Sequence, residues 1–504
     1  MIKMKLKHKI IVLIFAYLLL VTHISSAIGV RAHIEIGLQA IRNYIQPWRE
    51  QCSGISTLFE DTEVYPAFYA GCAFPDWGYG EINPDSAEAS HWNKFMTTYV
   101  SILKQKLPSL PPSVARKEVA FFLGVVVHNI SDIPWHFDEV GHRSFLSSAR
   151  EEGNSSHRDA EFSTDVFLFA ESQTEPLIPL ELYWPYETIL ECFKQIDMDV
   201  TAEQLKAGCT REQAYLTTGP FLAMTQFESM KQKHNWVYQH YKNYYYGGLE
   251  HNASAVSTFM KYYFAIITDN MFIQNSLSYA PYVRRNNDYI PICDIQDTTI
   301  IKNMPDNNAG MEPFLSVGKQ ENNEWKILIR CALPPIFEKE NLKKASIWLY
   351  AEQIEYSADL KFITIKTQRI TTPWDEGTGS SNEFSGKEGC STLGVNWSTQ
   401  PEVDGSSTQL IAIPISPNWI QIDITEYVKY WMDNPQLNYG INISMAENTD
   451  KNCVIRFFSS DAFRENDSPF CGGERTAYRP AFTILNKNTL TEYLFPDKTT
   501  KHQK

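Results

Sequence analysis

The segment His128-Asn129-Ile130-Ser131-Asp132-Ile133-Pro134-Trp135-His136 holds an H-x3-D-x3-H pattern at the end of an apolar run, residues 119–127. That run is long and only Gly124 interrupts it, which predicts a helix. On a helix His128 and Asp132 stand at i and i+4, so both side chains leave one face. An imidazole and a carboxylate one turn apart form half of a metal site. A core histidine beside a helix-end aspartate has the same local pattern, and the segment alone leaves both readings open.

Other residues of the same chemistry lie along the first half: His33, Asp76, His91, His157 and Glu161. His157 and Glu161 form an H-x3-E pair, again one helical turn apart. Imidazole with carboxylate suits zinc, and three protein ligands per ion with a position left open would make the site catalytic.

These pieces, in order, resemble the zinc-dependent phospholipase C family, and within it the branch that cleaves glycosylphosphatidylinositol. They are Ala32-His33-Ile34-Glu35-Ile36-Gly37, Tyr69-Ala70-Gly71 with Phe74-Pro75-Asp76, and Ser90-His91-Trp92. His128-x3-Asp132-x3-His136, His157-x3-Glu161-x3-Asp165 and Gly247-Gly248-Leu249 follow. The short Asp132–His136 gap points to that branch, because bacterial phospholipases C and the single-strand nucleases of the superfamily have a longer one. Glu161 stands where the branch tends to carry Asp; either carboxylate can bind zinc.

The resemblance implies three zinc ions. One would be held by Asp76, His91, His128 and Asp132, and a second by the residue-28 terminus, His33 and a shared Asp132. The third would be held by His136, His157 and Glu161. Asp132 would bridge, and Asp76 would orient the attacking water or act as its base. The terminus enters because Lys3, Lys5, Lys7 and Lys9 precede an apolar stretch, residues 10–21, and Ser25-Ser26-Ala27 offers small residues for cleavage. This reads as a secretory signal peptide over residues 1–27. Cleavage after Ala27 would free the α-amine of Ile28, which in the superfamily chelates zinc together with its own carbonyl.

A length of 504 exceeds what one core usually supports, so at least two domains are expected. The formal charge of −14 becomes −18 once the four leader lysines are removed. Such acidity argues against nonspecific nucleic-acid binding. The nine cysteines of an exported chain are expected to pair in disulfides, with connectivity open. N-x-S/T sequons occur at Asn129, Asn154, Asn252, Asn396, Asn442 and Asn466; Asn129, beside a candidate ligand, is expected to be buried and unmodified.

Residues 28–290 have mostly helical apolar spacing, at 92–104, 117–130, 160–169, 180–195 and 254–275. This predicts an all-α domain whose ligands face a shared cleft. Residues 291–487 change to short β-rich runs, at 298–301, 325–330, 345–349, 360–367, 409–415, 419–424, 439–444, 454–458 and 481–485. Gly-, Asn- and Pro-rich connections between them predict an antiparallel β-sandwich of jelly-roll type, with one short helix at 424–432 and a polar tail at 488–504. This half resembles the DNRLRE family through Asp297-Thr298-Thr299-Ile300, Ala345-Ser346-Ile347-Trp348-Leu349-Tyr350, Thr372-Pro373-Trp374-Asp375 and Arg479-Pro480-Ala481-Phe482. Some members bind carbohydrate, so a glycan ligand is implied. Trp374 and Trp397 could stack on sugar rings or pack internally. Trp236, Tyr238, Tyr241, Tyr244, Tyr245 and Tyr246 could rim a lipid cleft or pack between helices.

The expectation is a secreted, extracellular zinc phosphodiesterase acting on glycosylphosphatidylinositol anchors or phospholipids, with peripheral contact to a membrane surface. Two alternatives stay open: a zinc single-strand nuclease of the same superfamily, and a non-catalytic glycan-binding protein.

Overall fold

Helix starts in the first half are set by proline and by short polar caps, and their crossings by glycine. The computed structural model describes residues 29–49, 52–138, 143–171, 181–274, 295–333, 339–356, 362–379, 394–414, 418–446, 452–461, 477–487 and 489–496. They fall into two compact units, one of residues 29–47 and 54–264, the other of residues 48–53, 265–274 and 295 onward. The leader and Ile28 lie outside the described residues.

The longer helices of the first unit are α1 Val30–Ala40, α2 Tyr65–Ala73, α3 Asn93–Lys106, α4 Pro112–His136, α5 His157–Glu171, α6 Tyr186–Gln195, α7 Ala202–Lys233 and α8 Leu249–Ile267. Helix α4 runs through the middle of this unit and is almost wholly buried from Val119 to Trp135. It continues through Pro134, in its last turn, and ends at His136. A proline so near the end removes one terminal hydrogen bond and leaves the helix intact. The consequence is that His128, Asp132 and His136 all share one face.

Helices α2 and α4 cross at two glycines. A Cβ on Gly71 would lie 1.9 Å from the Phe121 carbonyl oxygen, and one on Gly124 would lie 2.3 Å from that of Phe68. The backbones therefore touch, and the Cys72 carbonyl comes within 2.8 Å of His128 Nδ1.

Two helical expectations overshoot. Residues 254–275 were expected as one helix, but α8 ends at Ile267 and Asp269 takes a left-handed φ of 57°. The chain then extends into strand β1, Met271–Gln274, which finds an antiparallel partner in β11, Ala481–Asn486. Residues 180–195 yield helix only from Tyr186, because Pro185 stands at its N-cap. Cys72, Cys192 and Cys209 are buried thiols, so the disulfide expectation is not met at these three.

The second unit holds β2 Ile295–Ile301, β3 Phe314–Gln320, β4 Asn323–Cys331, β5 Leu342–Tyr356, β6 Phe362–Arg369, β7 Gln409–Pro414, β8 Asn418–Asp423, β9 Ile441–Met445 and β10 Cys453–Phe458. They join β1 and β11 in one curled antiparallel sheet, in the order β1-β11-β5-β10-β3-β4-β9-β6-β7. Strand β2 adds to β4, and β8 adds to β5. The sheet encloses an aliphatic core that includes Ile327, Ile329, Ile347, Ile363, Ile443 and Ile455. The expected short helix is α9, Thr425–Asp433, whose Tyr427, Val428 and Trp431 fill the same core.

The glycine crossing yields the first prediction. Gly124→Ala should lower unfolding free energy by about 1–3 kcal/mol, the range for overpacking a tight contact. Urea denaturation of the variant beside the parent measures this.

Candidate metal centre

Three side-chain groups lie close enough to hold an ion: His33 with His128 and Asp132, Asp76 with His91 and His128, and His136 with His157 and Glu161. All eight side chains singled out in the sequence are therefore brought together. Helix α1 supplies His33, and the tight turn Phe74–Gly78 after α2 supplies Asp76. His91 caps the short helix Pro84–Ser90. Helix α4 gives His128, Asp132 and His136, and α5 gives His157 and Glu161.

Asp132 sits where the groups meet. Its Oδ1 is 3.4 Å from His33 Nε2 and 3.6 Å from His136 Nε2. Its Oδ2 is 3.5 Å from His128 Nε2 and 3.7 Å from His91 Nε2. Asp76 Oδ1 is 3.4 Å from His91 Nε2 and 3.7 Å from His128 Nε2. Glu161 Oε1 is 3.8 Å from His136 Nε2 and 2.5 Å from His157 Nε2.

Most of these separations are too long for hydrogen bonds. They match two ligands of one tetrahedral ion, which stand roughly 3.3 Å apart when each is about 2.05 Å from the metal. Asp76 Oδ1 and Oδ2, Asp132 Oδ1, Glu161 Oε2, His33 Nε2 and His136 Nε2 are all buried without a hydrogen-bond partner. So many orphaned donor atoms aimed at one place would be costly in a protein interior unless a cation neutralised them. The residues fit zinc.

The far ring nitrogens are tethered. His33 Nδ1 meets Ser131 Oγ at 2.9 Å, His91 Nδ1 meets the Ala87 carbonyl at 2.8 Å, and His128 Nδ1 meets the Cys72 carbonyl. A carbonyl accepts only, so His91 and His128 donate from Nδ1 and turn Nε2 inward, where the two Nε2 atoms stand 3.2 Å apart. The His33 and His128 rings stack with centroids 3.7 Å apart.

The electrostatics report the same crowding. Burial would raise the Asp132 carboxyl, but His128, His136 and His33 hold it well below the usual range. Burial raises Glu161, and the nearby Asp76 and Asp132 push it further. Burial lowers His33, and the His128 ring adds to this. Burial also opposes protonation of His91, yet Asp76 and Asp132 lift it to about 9.

Two further groups support these side chains: Asp165, which the motif His157-x3-Glu161-x3-Asp165 contains without a role assigned to it, and Arg211, which no sequence motif marks. Asp165 accepts the backbone N–H groups of Arg31 at 3.2 Å and Ala32 at 3.0 Å, and the Tyr215 hydroxyl at 2.8 Å. It serves as the missing cap of α1, whose N-cap is Gly29. A Cβ on Gly29 would lie 2.1 Å from Asp165 Cγ, so glycine is required there. Arg211 of α7 donates to the carbonyls of Asp76 at 2.9 Å, Trp77 at 3.3 Å and Tyr79 at 2.5 Å. It also pairs with the fully buried Glu212 at 2.9 Å. Arg211 thus clamps the turn that presents Asp76. The Thr201–Gln204 capping box at the start of α7 was a readable signal for this helix.

Other candidates resolve as packing. Tyr241, Tyr244, Tyr245 and Tyr246 are buried, and Tyr238 and Tyr241 donate to Glu171. Trp374 is buried, with its indole N–H on the Tyr439 carbonyl at 2.7 Å and Arg330 over its ring, so no face is open to a sugar. The sequon residues Asn129, Asn252, Asn396 and Asn442 are buried, whereas Asn154 is exposed.

Comparison with known proteins agrees with this geometry. Residues 32–214 match the family model of zinc dependent phospholipase C. Residues 289–469 match carbohydrate-binding module family 96, where the sequence motifs had suggested DNRLRE. Phosphatidylinositol-glycan-specific phospholipase D of Rattus norvegicus is 25% identical over 241 residues, 45% of this chain and 28% of the relative. The Homo sapiens protein of that name is 25% identical over 239 residues, with the same coverage, and that of Dictyostelium discoideum is 25% identical over 199 residues. The match thus spans little more than a quarter of the length of the mammalian relatives. The helical unit is similar to zinc-dependent phospholipases, and the β unit to a carbohydrate-binding module.

Proposed function

We propose that this chain is a secreted zinc phosphodiesterase that hydrolyses glycosylphosphatidylinositol anchors or phospholipids, with a β unit that binds glycan. The observation that carries the proposal is the convergence of orphaned imidazole and carboxylate atoms on Asp132. Three ions are assigned: one to Asp76, His91, His128 and Asp132, one to His33, Asp132 and the α-amine and carbonyl of Ile28, and one to His136, His157 and Glu161. Zinc held there supplies a nucleophile from water near neutral pH and offsets charge on the phosphoryl oxygens.

The chain's own residues do the rest. Asp132 directs one oxygen toward His33 and His136 and the other toward His91 and His128, the disposition of a bridging carboxylate. Asp76 is rigidly presented and has no donor on either oxygen, so it is the group to orient the attacking water or take its proton. Arg211 acts through the backbone of that turn and is a positioning residue. Asp165 pins the first turn of α1, with Gly29 packed against its carboxylate.

The test is lipid product analysis after mixing secreted protein with a glycosylphosphatidylinositol-anchored reporter, with and without chelator. Chelator-sensitive phosphatidic acid is the expected result, and diacylglycerol would assign C-type cleavage instead. No lipid product from zinc-loaded protein would overturn the anchor and phospholipid reading. Asp132→Asn should abolish turnover and lower zinc content together; activity with full zinc would refute its bridging role. Arg211→Ala should reduce kcat about 10- to 100-fold, as losses of supporting shells do, with partial rescue by added guanidinium. A fall in stability alone, without rescue, would make Arg211 merely structural.

A further inference from the structure

Among the described residues of the helical unit, two large apolar side chains are left in water: Phe221 at 69% exposure and Met224 at 82%. They stand at i and i+3 on α7 and so share one face. Their neighbours Leu222 and Ala223 are buried, so this turn is anchored inward while the pair points out. The same helix carries Arg211, which clamps the Asp76 turn, and Tyr215, which holds Asp165. Gly219, two residues before Phe221, is pressed against the Phe169 ring of α5. By helical rise, Phe221 lies roughly 9 Å beyond Tyr215 along the axis, and Met224 roughly 14 Å. The apolar pair therefore lies on the helix that backs the metal centre, just past its internal Pro220.

We propose that Phe221 and Met224 form a lipid-docking wedge, which enters the interfacial layer of a bilayer while the metal centre meets the headgroup. The inference rests on the phospholipid reading for its occupant. Size favours that occupant over a second copy of the chain. Two side chains offer about 150–250 Å² each at most, well short of the roughly 800 Å² per partner of a stable protein interface. A bilayer needs no matching surface, and single apolar anchors gain from entering it. Beyond the pair, Lys231 lies 4.2 Å over the Tyr238 ring and Lys233 pairs with Asp159 at 3.9 Å, so the wedge relies on its apolar area and not on charge.

The experiment is sedimentation of the full chain with phosphatidylcholine vesicles, run beside hydrolysis of soluble bis(p-nitrophenyl) phosphate. Phe221→Ser with Met224→Ser should weaken vesicle binding roughly 30-fold. Hydrolysis of the soluble diester should be unchanged, because neither residue touches the centre. Phe221→Trp with Met224→Leu should restore vesicle binding. Equal sedimentation of the serine variant and the parent would overturn the wedge. So would a concentration-dependent dimer of the parent that the serine variant abolishes. Should the parent cleave no diester while its vesicle binding still depends on this pair, docking stands and the proposed activity fails.

Discussion

A carboxylate with almost no water around it is the constraint on which the helical unit depends. Asp132 lies at the centre of a buried set that also contains Asp76 and Glu161. Among the described residues, their ion-pair partners are imidazoles, not Lys or Arg. Three desolvated carboxylates without a strong cation would be disfavoured by several kcal/mol apiece. A divalent cation held among them would supply the missing charge with the donor spacing already in place. Metal affinity and fold stability would then be coupled, as in other sites whose ligands are assembled only on folding.

Rigid backbone explains how such a set survives. The Gly71–Gly124 crossing brings α2 against α4, and the carbonyl of Cys72 then fixes the His128 ring. The carbonyl of Ala87 fixes His91 in the same way. Asp76 is held from behind by Arg211 through main-chain carbonyls, which leaves both of its oxygens uncommitted. Asp165 completes the frame at the first turn of α1, although burial raises its own carboxyl to about 6 despite three donors. His128, His91 and Asp76 are thus each aimed by a group outside the candidate ligand set.

The legible part of this site was the part with a period. His128, Asp132 and His136 share a face because helix spacing says so, and Pro134 came too late in α4 to spoil it. His157 and Glu161 follow the same rule. Nothing in local spacing ties His33, Asp76 or His91 to them; those residues meet through tertiary packing, and family resemblance was the route to them. Arg211 was illegible because its partners are carbonyls, which leave no mark on sequence. Helix α7 was passed over since many of its outward positions are polar and its apolar stripe is thin, although Thr201 and Gln204 marked its start. In the β unit, alternation located nine of the eleven described strands, missed β3 and β1, and underestimated β5, whose fifteen residues serve β8, β10 and β11 in turn. Register of that kind depends on partners distant in sequence.

Aromatic residues show where composition misleads. The run from Trp236 to Tyr246 looks like an interface and is spent mostly inside, with Tyr241 and Tyr238 satisfied by Glu171 and Tyr244 by Ser148. Trp374 is likewise committed, between Arg330 and the Tyr439 carbonyl. A surface that must meet lipid or sugar has to keep apolar area free in the folded state, and burial is what separates such area from core. In the helical unit Phe221 and Met224 pass that test, although neither lies in an aromatic cluster. The physical reason is local: at that point α7 has packed its inward side with Leu222 and Ala223, and the opposite side has no neighbour among the described residues to cover it.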